Sequence, residues 1–135
     1  MRVEANSPRQ GTVSKLVLVV EDDPDQRRLL ERMLVGSGWR VATAPDGETG
    51  LGAARKHPPD AIVLDVMMPR LNGFQTCRQL KADPLTAAIP VVICTSKDQP
   101  ADQYWANEVG ADAFLAKPVD IGRLLQMLER LTEPR

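Results

Sequence analysis

The chain has 135 residues, 43% of them hydrophobic and 26% charged, with 17 Lys+Arg against 18 Asp+Glu and a formal net charge of −1. That is enough length for one domain with a core, too apolar for a disordered chain, and too evenly charged for electrostatic binding to nucleic acid. No apolar run approaches a membrane span and the N-terminus lacks the charged-then-apolar layout of a signal peptide, so one cytoplasmic domain is expected; it is read as a monomer or weak dimer.

Residues Met1 to Ser14 are polar, contain Pro8 and Gly11 and carry no apolar period; they read as a loose leader before a domain over residues 15–132. Leu16-Val17-Leu18-Val19-Val20 is a β-branched-rich run, as expected of a strand buried on both faces of a parallel sheet. Asp23 can cap a helix with Pro24 at its first position, and Leu29, Leu30, Met33 and Leu34 recur at helical spacing until Gly36 and Gly38. A strand over Trp39 to Ala44 follows. Asp46-Gly47 then turns the chain into a small-residue helix to about Lys56, which Pro58-Pro59 breaks.

The third strand, Ala61-Ile62-Val63-Leu64, ends in Asp65, and a helix is expected from about Asn72 to Ala82. Pro90 to Cys94 is a fourth strand. Ala101, Trp105 and Val109 stripe a fourth helix ending at Gly110, with Trp105 in the core and Tyr104 beside it pointing elsewhere. Ala113 to Ala116 is a fifth strand, and Asp120 caps a last helix whose Ile121, Leu124, Leu125 and Leu128 share one face. Five strands alternating with five helices imply an α/β fold: a parallel sheet with right-handed crossovers and helices on both faces.

Such sheets bind ligands beyond the carboxyl ends of their strands. Here those ends carry Glu21-Asp22-Asp23, Asp65, Thr95-Ser96 and Lys117-Pro118. A charge at the tip of a buried strand costs free energy unless something compensates it. Acids, a hydroxyl and a lysine at one sheet edge suggest a site for Mg²⁺ and a phosphoryl group. Cys77 and Cys94 lack CxxC spacing and read as reduced, packed residues, and His57 as a lone exposed histidine.

From Lys15 to Leu131 the chain resembles the CheY-like receiver domains of bacterial two-component signalling. The resemblance rests on Val-Val-Glu21-Asp22-Asp23-Pro24, Asp65-Val-Met-Met-Pro69-Arg-Leu-Asn-Gly73, Thr95-Ser96 and Lys117-Pro118. It implies a flavodoxin-like sheet of strand order 2-1-3-4-5. It also implies that Asp65 accepts a phosphoryl group from the phosphohistidine of a histidine kinase. Mg²⁺ would be held by Asp65, Asp22, Glu21 and the backbone carbonyl of Met67, with Glu21 standing where the family often has Asp.

The same resemblance gives Thr95 and Lys117 the phosphoryl oxygens, makes Phe114 the switch aromatic that reads out Thr95, and places a cis bond before Pro118. The Met67 thioether could restrict attacking water. Duller readings stand beside these: Asp22 and Asp65 as helix caps, Lys117 as a solvated lysine, Thr95 as a plain strand end and Phe114 as core. The chain is expected to be a stand-alone receiver, not an enzyme, acting on an unknown output protein through the face of the fourth helix, fifth strand and fifth helix. Asn72 to Leu80 and Thr95 to Gln99 with Trp105 are similar to receivers of type IV pilus twitching systems. The alternatives are a phosphate-independent interaction module and an aspartyl-phosphate phosphatase of the haloacid dehalogenase type, whose second acid Asp65-Val66-Met67 lacks.

Overall fold

A computed structural model describes residues 14–96 and 100–134. Apart from Ser14, the expected leader lies outside them, as do residues 97–99. Among the described residues ten elements alternate: β1 (Leu16–Val20), α1 (Pro24–Gly36), β2 (Arg40–Ala44), α2 (Gly47–Lys56), β3 (Ala61–Asp65), α3 (Gly73–Ala82), β4 (Val91–Thr95), α4 (Pro100–Glu108), β5 (Ala113–Ala116) and α5 (Ile121–Leu131). All strands pair in parallel in the order β2-β1-β3-β4-β5. The continuous apolar runs form the inner strands, and every residue of β3 and β4 is buried.

Strand alternation sorts the core into two layers. Leu18, Val20, Ile62, Leu64, Val91 and Ile93 face the α2–α4 side, while Val17, Val19, Val63, Val92, Cys94 and Leu115 meet Leu30 and Leu34 of α1 and Leu124 and Leu128 of α5. Leu34, Leu124 and Leu128 are wholly buried, and truncating any of them to Ala would cost about 2–5 kcal/mol. Side-chain caps fix where helices start. Asp23 accepts from the backbone of Asp25 and Gln26, Asp46 from Thr49, and Asp120 from Arg123, while Asn72 and Gln75 form a capping box.

The edge of the sheet away from the strands' carboxyl ends is pinned by Lys81. Its ammonium donates to the carbonyls of Ile89 (2.8 Å) and Ala87 (3.3 Å) and to Asp112 Oδ2 (2.9 Å). The same Asp112 oxygen accepts from the Val91 backbone N–H at 2.8 Å, and the Asp112 N–H returns a bond to the Val91 carbonyl. α3, β4 and the start of β5 are thereby tied together.

Two apolar expectations need correction. Trp105 is not in the core: Ala106 of α4 and Val109 just after it are buried, whereas Ala101 and Trp105 are exposed and Trp105 sits edge-on to the exposed Tyr104. A small side chain lets the short helix approach the sheet closely, and the indole is displaced outward. Leu29 is likewise exposed, with α1 burying Leu30 and Leu34 instead. His57 ends α2 exposed, and Cys77 and Cys94 are buried free thiols.

Candidate functional site

The strand order reverses at β1, whose neighbours are β2 and β3, and the crevice beyond the carboxyl ends opens there. Register explains which side chains meet in it. Val19 lies beside Val63, so two residues further on Glu21 comes level with Asp65 on the α1–α5 side. β5 continues to Lys117, whose backbone N–H donates to the Thr95 carbonyl at 2.8 Å, and the Lys117-Pro118 bond is cis.

The Lys117 ammonium is the centre of the site. It donates to Glu21 Oε1 and Gln26 Oε1, each at 2.8 Å, and forms an ion pair with Asp65 Oδ1 at 2.9 Å. The side chains of Glu21 and Asp65 are only 5% and 6% exposed, so neither charge is offset by bulk water. Burial pushes the Glu21 carboxyl above its ordinary value, with the Asp65 charge adding to it and the Lys117 bond opposing it. Burial alone would lower the Lys117 pKa, but the bonds from Glu21 and Asp65 outweigh it and hold the ammonium protonated above its ordinary range.

Glu21, Asp22 and Asp65 each offer a carboxylate oxygen, and these oxygens lie within 4.8 Å of one another. Asp22 is exposed, and among the described residues its carboxylate takes no hydrogen bond or ion pair. Three carboxylates with spare lone pairs form an all-oxygen donor set that fits a hard divalent cation such as Mg²⁺. Arg27 steadies the turn behind them, donating to the Glu21 carbonyl at 2.9 Å and the Asp22 carbonyl at 3.5 Å.

After Asp65 the chain turns tightly. Val66 N–H donates to the Cys94 carbonyl, Gly73 N–H donates to the Val66 carbonyl, and Arg70 adopts a φ of 65°. Gly73 is required there, since a Cβ would stand 2.3 Å from the Asp65 carbonyl oxygen. Met67 lies exposed in this turn, and its carbonyl takes no part in the backbone bonds that tie the turn among the described residues. Thr95 is buried at the tip of β4. Phe114 is partly buried, packed on the α2–α4 layer, and shares the sheet face of Thr95, because Ile93 pairs with Phe114 and Thr95 with Ala116.

The sequence reading missed Gln26 and Arg27. Gln26 meets Lys117 across 91 residues, a separation that leaves no local signal. A cavity of about 380 Å³ opens from the site itself between α1 and the segment leading into α5, its walls including Leu29, Leu30, Met33, Cys94 and Val119 as well as Glu21, Asp65 and Lys117. Leu29, exposed in the general sense, forms part of that wall.

A parallel 2-1-3-4-5 sheet with acids and a lysine gathered where its order reverses is the arrangement of a two-component receiver. The response regulator receiver domain model matches residues 17–129, and the chain belongs to that family. Among particular proteins it is 44% identical over 112 residues to Protein PilH of Pseudomonas aeruginosa, covering 83% of this chain and 93% of PilH. It is also 45% identical over 120 residues to Response regulator PleD of Caulobacter vibrioides, covering 89% of this chain but only 26% of PleD.

Solved structures agree. The Vibrio cholerae chemotaxis protein CheY4 superposes with a TM-score of 0.83 at 30% identity, covering 88% of this chain and 99% of that one. The receiver domain of the sensor histidine kinase PA1611 from Pseudomonas aeruginosa, which carries a magnesium ion coordinated in its active-site cleft, gives 0.82 at 28% identity and covers 89% and 98%. No helix among the described residues is long and apolar enough to cross a membrane.

Proposed function

We propose that this receiver accepts a phosphoryl group on Asp65 from the phosphohistidine of a histidine kinase and thereby changes its affinity for an output protein. The observation that carries the reading is the Asp65 carboxylate, buried at a strand tip, with one oxygen held at 2.9 Å by Lys117 and two further acids beside it. Oδ2 takes no hydrogen bond among the described residues and is the attacking oxygen. It forms an O–P bond as the P–N bond to the donor imidazole breaks, and the departing electron pair stays on the ring nitrogen.

Lys117 meets charge developing on the phosphoryl oxygens, and Thr95 supplies a hydroxyl at the neighbouring strand tip. Glu21, Asp22, Asp65 and the Met67 carbonyl would hold Mg²⁺, which when bound neutralises the repulsion between a carboxylate and a dianionic phosphoryl group. The chain promotes only its own phosphorylation and dephosphorylation. The exposed Met67 thioether would limit water's approach to the phosphoryl group.

Phosphorylation shifts a two-state equilibrium read on the α4-β5-α5 face, with Thr95 and Phe114 as the switch. Tyr104 and Trp105, exposed as a pair on α4, favour that surface. The 44% identity to PilH supports placing the chain in the twitching-motility group, and its receiver family supports a cytoplasmic location. The test is intact mass after incubation with Mg²⁺ and acetyl phosphate. One phosphoryl adduct on the wild type that is absent from Asp65→Asn is expected. No adduct on a wild type that binds Mg²⁺ and leaves the donor intact would overturn the reading in favour of a phosphate-independent module, while continuous turnover of the donor would point to a phosphatase.

A further inference from the structure

An ammonium has three N–H donors, and in this structure three acceptors crowd it: Glu21 and Gln26 each accept a hydrogen bond at 2.8 Å, and Asp65 Oδ1 forms an ion pair at 2.9 Å. For Lys117 to meet a phosphoryl oxygen, one acceptor must leave. While the phosphoryl group is being delivered, before Asp65 is esterified, Glu21 and Asp65 are both buried carboxylates whose attraction to the ammonium is charge-assisted on both sides. Gln26 is neutral and exposed, so its amide can be resolvated at little cost. The amide's orientation is set by chemistry: Nε2 donates to Asp23 Oδ2 at 3.3 Å while Oε1 accepts from Lys117. Flipping it would set an NH₂ group against an ammonium and an oxygen against a carboxylate.

We propose that Gln26 is a positioning residue for phosphoryl acceptance: its carboxamide holds a donor of Lys117 in the unphosphorylated protein and is exchanged for a phosphoryl oxygen as the group is delivered to Asp65. The inference rests on the function proposed above. The exchange has a structural echo, because the same carboxamide is bonded to Asp23, the N-cap of α1. Its release therefore changes the partners of the first turn of α1.

The test uses the full chain with Mg²⁺ and acetyl phosphate, comparing initial rates of adduct formation for wild type, Gln26→Met and Gln26→Glu. Gln26→Met removes the competing acceptor at nearly constant shape, and the rate should rise about two- to tenfold, the net worth of one hydrogen bond. Gln26→Glu substitutes a charged competitor, and the rate should fall. In the wild type, the Gln26 side-chain amide resonances, identified by their loss in Gln26→Met, should move on phosphorylation. Rates that shift in the same direction in both variants, or amide resonances that stay still while an adduct forms, would overturn the exchange. A wild type that forms no adduct would instead overturn the functional reading on which it rests.

Discussion

Replacing Lys117 by Met removes the ammonium but keeps a flexible side chain of similar length, leaving Glu21 and Asp65 as buried carboxylates without their shared counter-charge. Breaking a buried pair on one side costs about 3–5 kcal/mol when the remaining charge has no escape. Here there is one, since a single proton on the pair restores the site's original net charge. Protonating a carboxyl of ordinary pKa 4.5 near pH 7 costs about 3 kcal/mol, which sets the scale of the penalty, and near pH 5.5 that scale falls to about 1 kcal/mol.

The direction follows from Glu21, whose carboxyl already binds its proton more tightly in the folded than in the unfolded protein. Without Lys117 that difference widens, so stability is greatest below the ordinary carboxyl range and declines as pH rises through the raised folded value. Urea unfolding of wild type and Lys117→Met in EDTA should show a loss of about 3 kcal/mol near pH 7 and about 1 kcal/mol near pH 5.5. Equal losses at the two pH values, or a loss below about 1 kcal/mol at the higher one, would refute the reasoning.

At free Mg²⁺ ten times its Kd the wild type should gain about 1.4 kcal/mol. Asp22→Asn, at an exposed position, should match the wild type in EDTA but lose most of that gain, as thermal unfolding would show. Gly73→Ala sets a Cβ 2.3 Å from the Asp65 carbonyl oxygen and 2.9 Å from the Val66 Cα, backbone that cannot rotate away. Despite the better helix former it should destabilise by about 1–2 kcal/mol and slow phosphorylation, with urea unfolding and intact mass as readouts. Burial raises the Cys94 thiol to about 12 and the Cys77 thiol to about 11. Maleimide labelling near pH 8 should therefore be slow and should accelerate only through the urea unfolding transition.

The strands were legible because both faces of the sheet are covered, so burial leaves continuous apolar runs in the sequence. Boundaries moved by a residue where a cap intervened: Asn72 caps α3 instead of opening it. α4 was misread because Ala101, Trp105 and Val109 satisfy a helical period as well as the buried Ala106 and Val109 do, and only tertiary contact with the sheet decides between them. In the site, Glu21, Asp22, Asp65, Thr95 and Lys117 stood out as polar residues interrupting apolar runs. Gln26 did not, since a polar residue in the first turn of a helix is unremarkable until the fold brings Lys117 to it. The sequence also could not show that Glu21 spends one oxygen on Lys117 and the other on the Asp23 N–H at 3.2 Å.

Lys81 anchors the sheet at the end opposite the site. Three acceptors around its ammonium and the paired bonds between Asp112 and Val91 must break before β4 and β5 can separate at their amino ends. At the other end, 4 residues along β4, the strands are joined to the site through Thr95 and Lys117. The switch proposed at Thr95 therefore acts at the free end of β4 and β5, opposite the end that the Lys81 anchor holds.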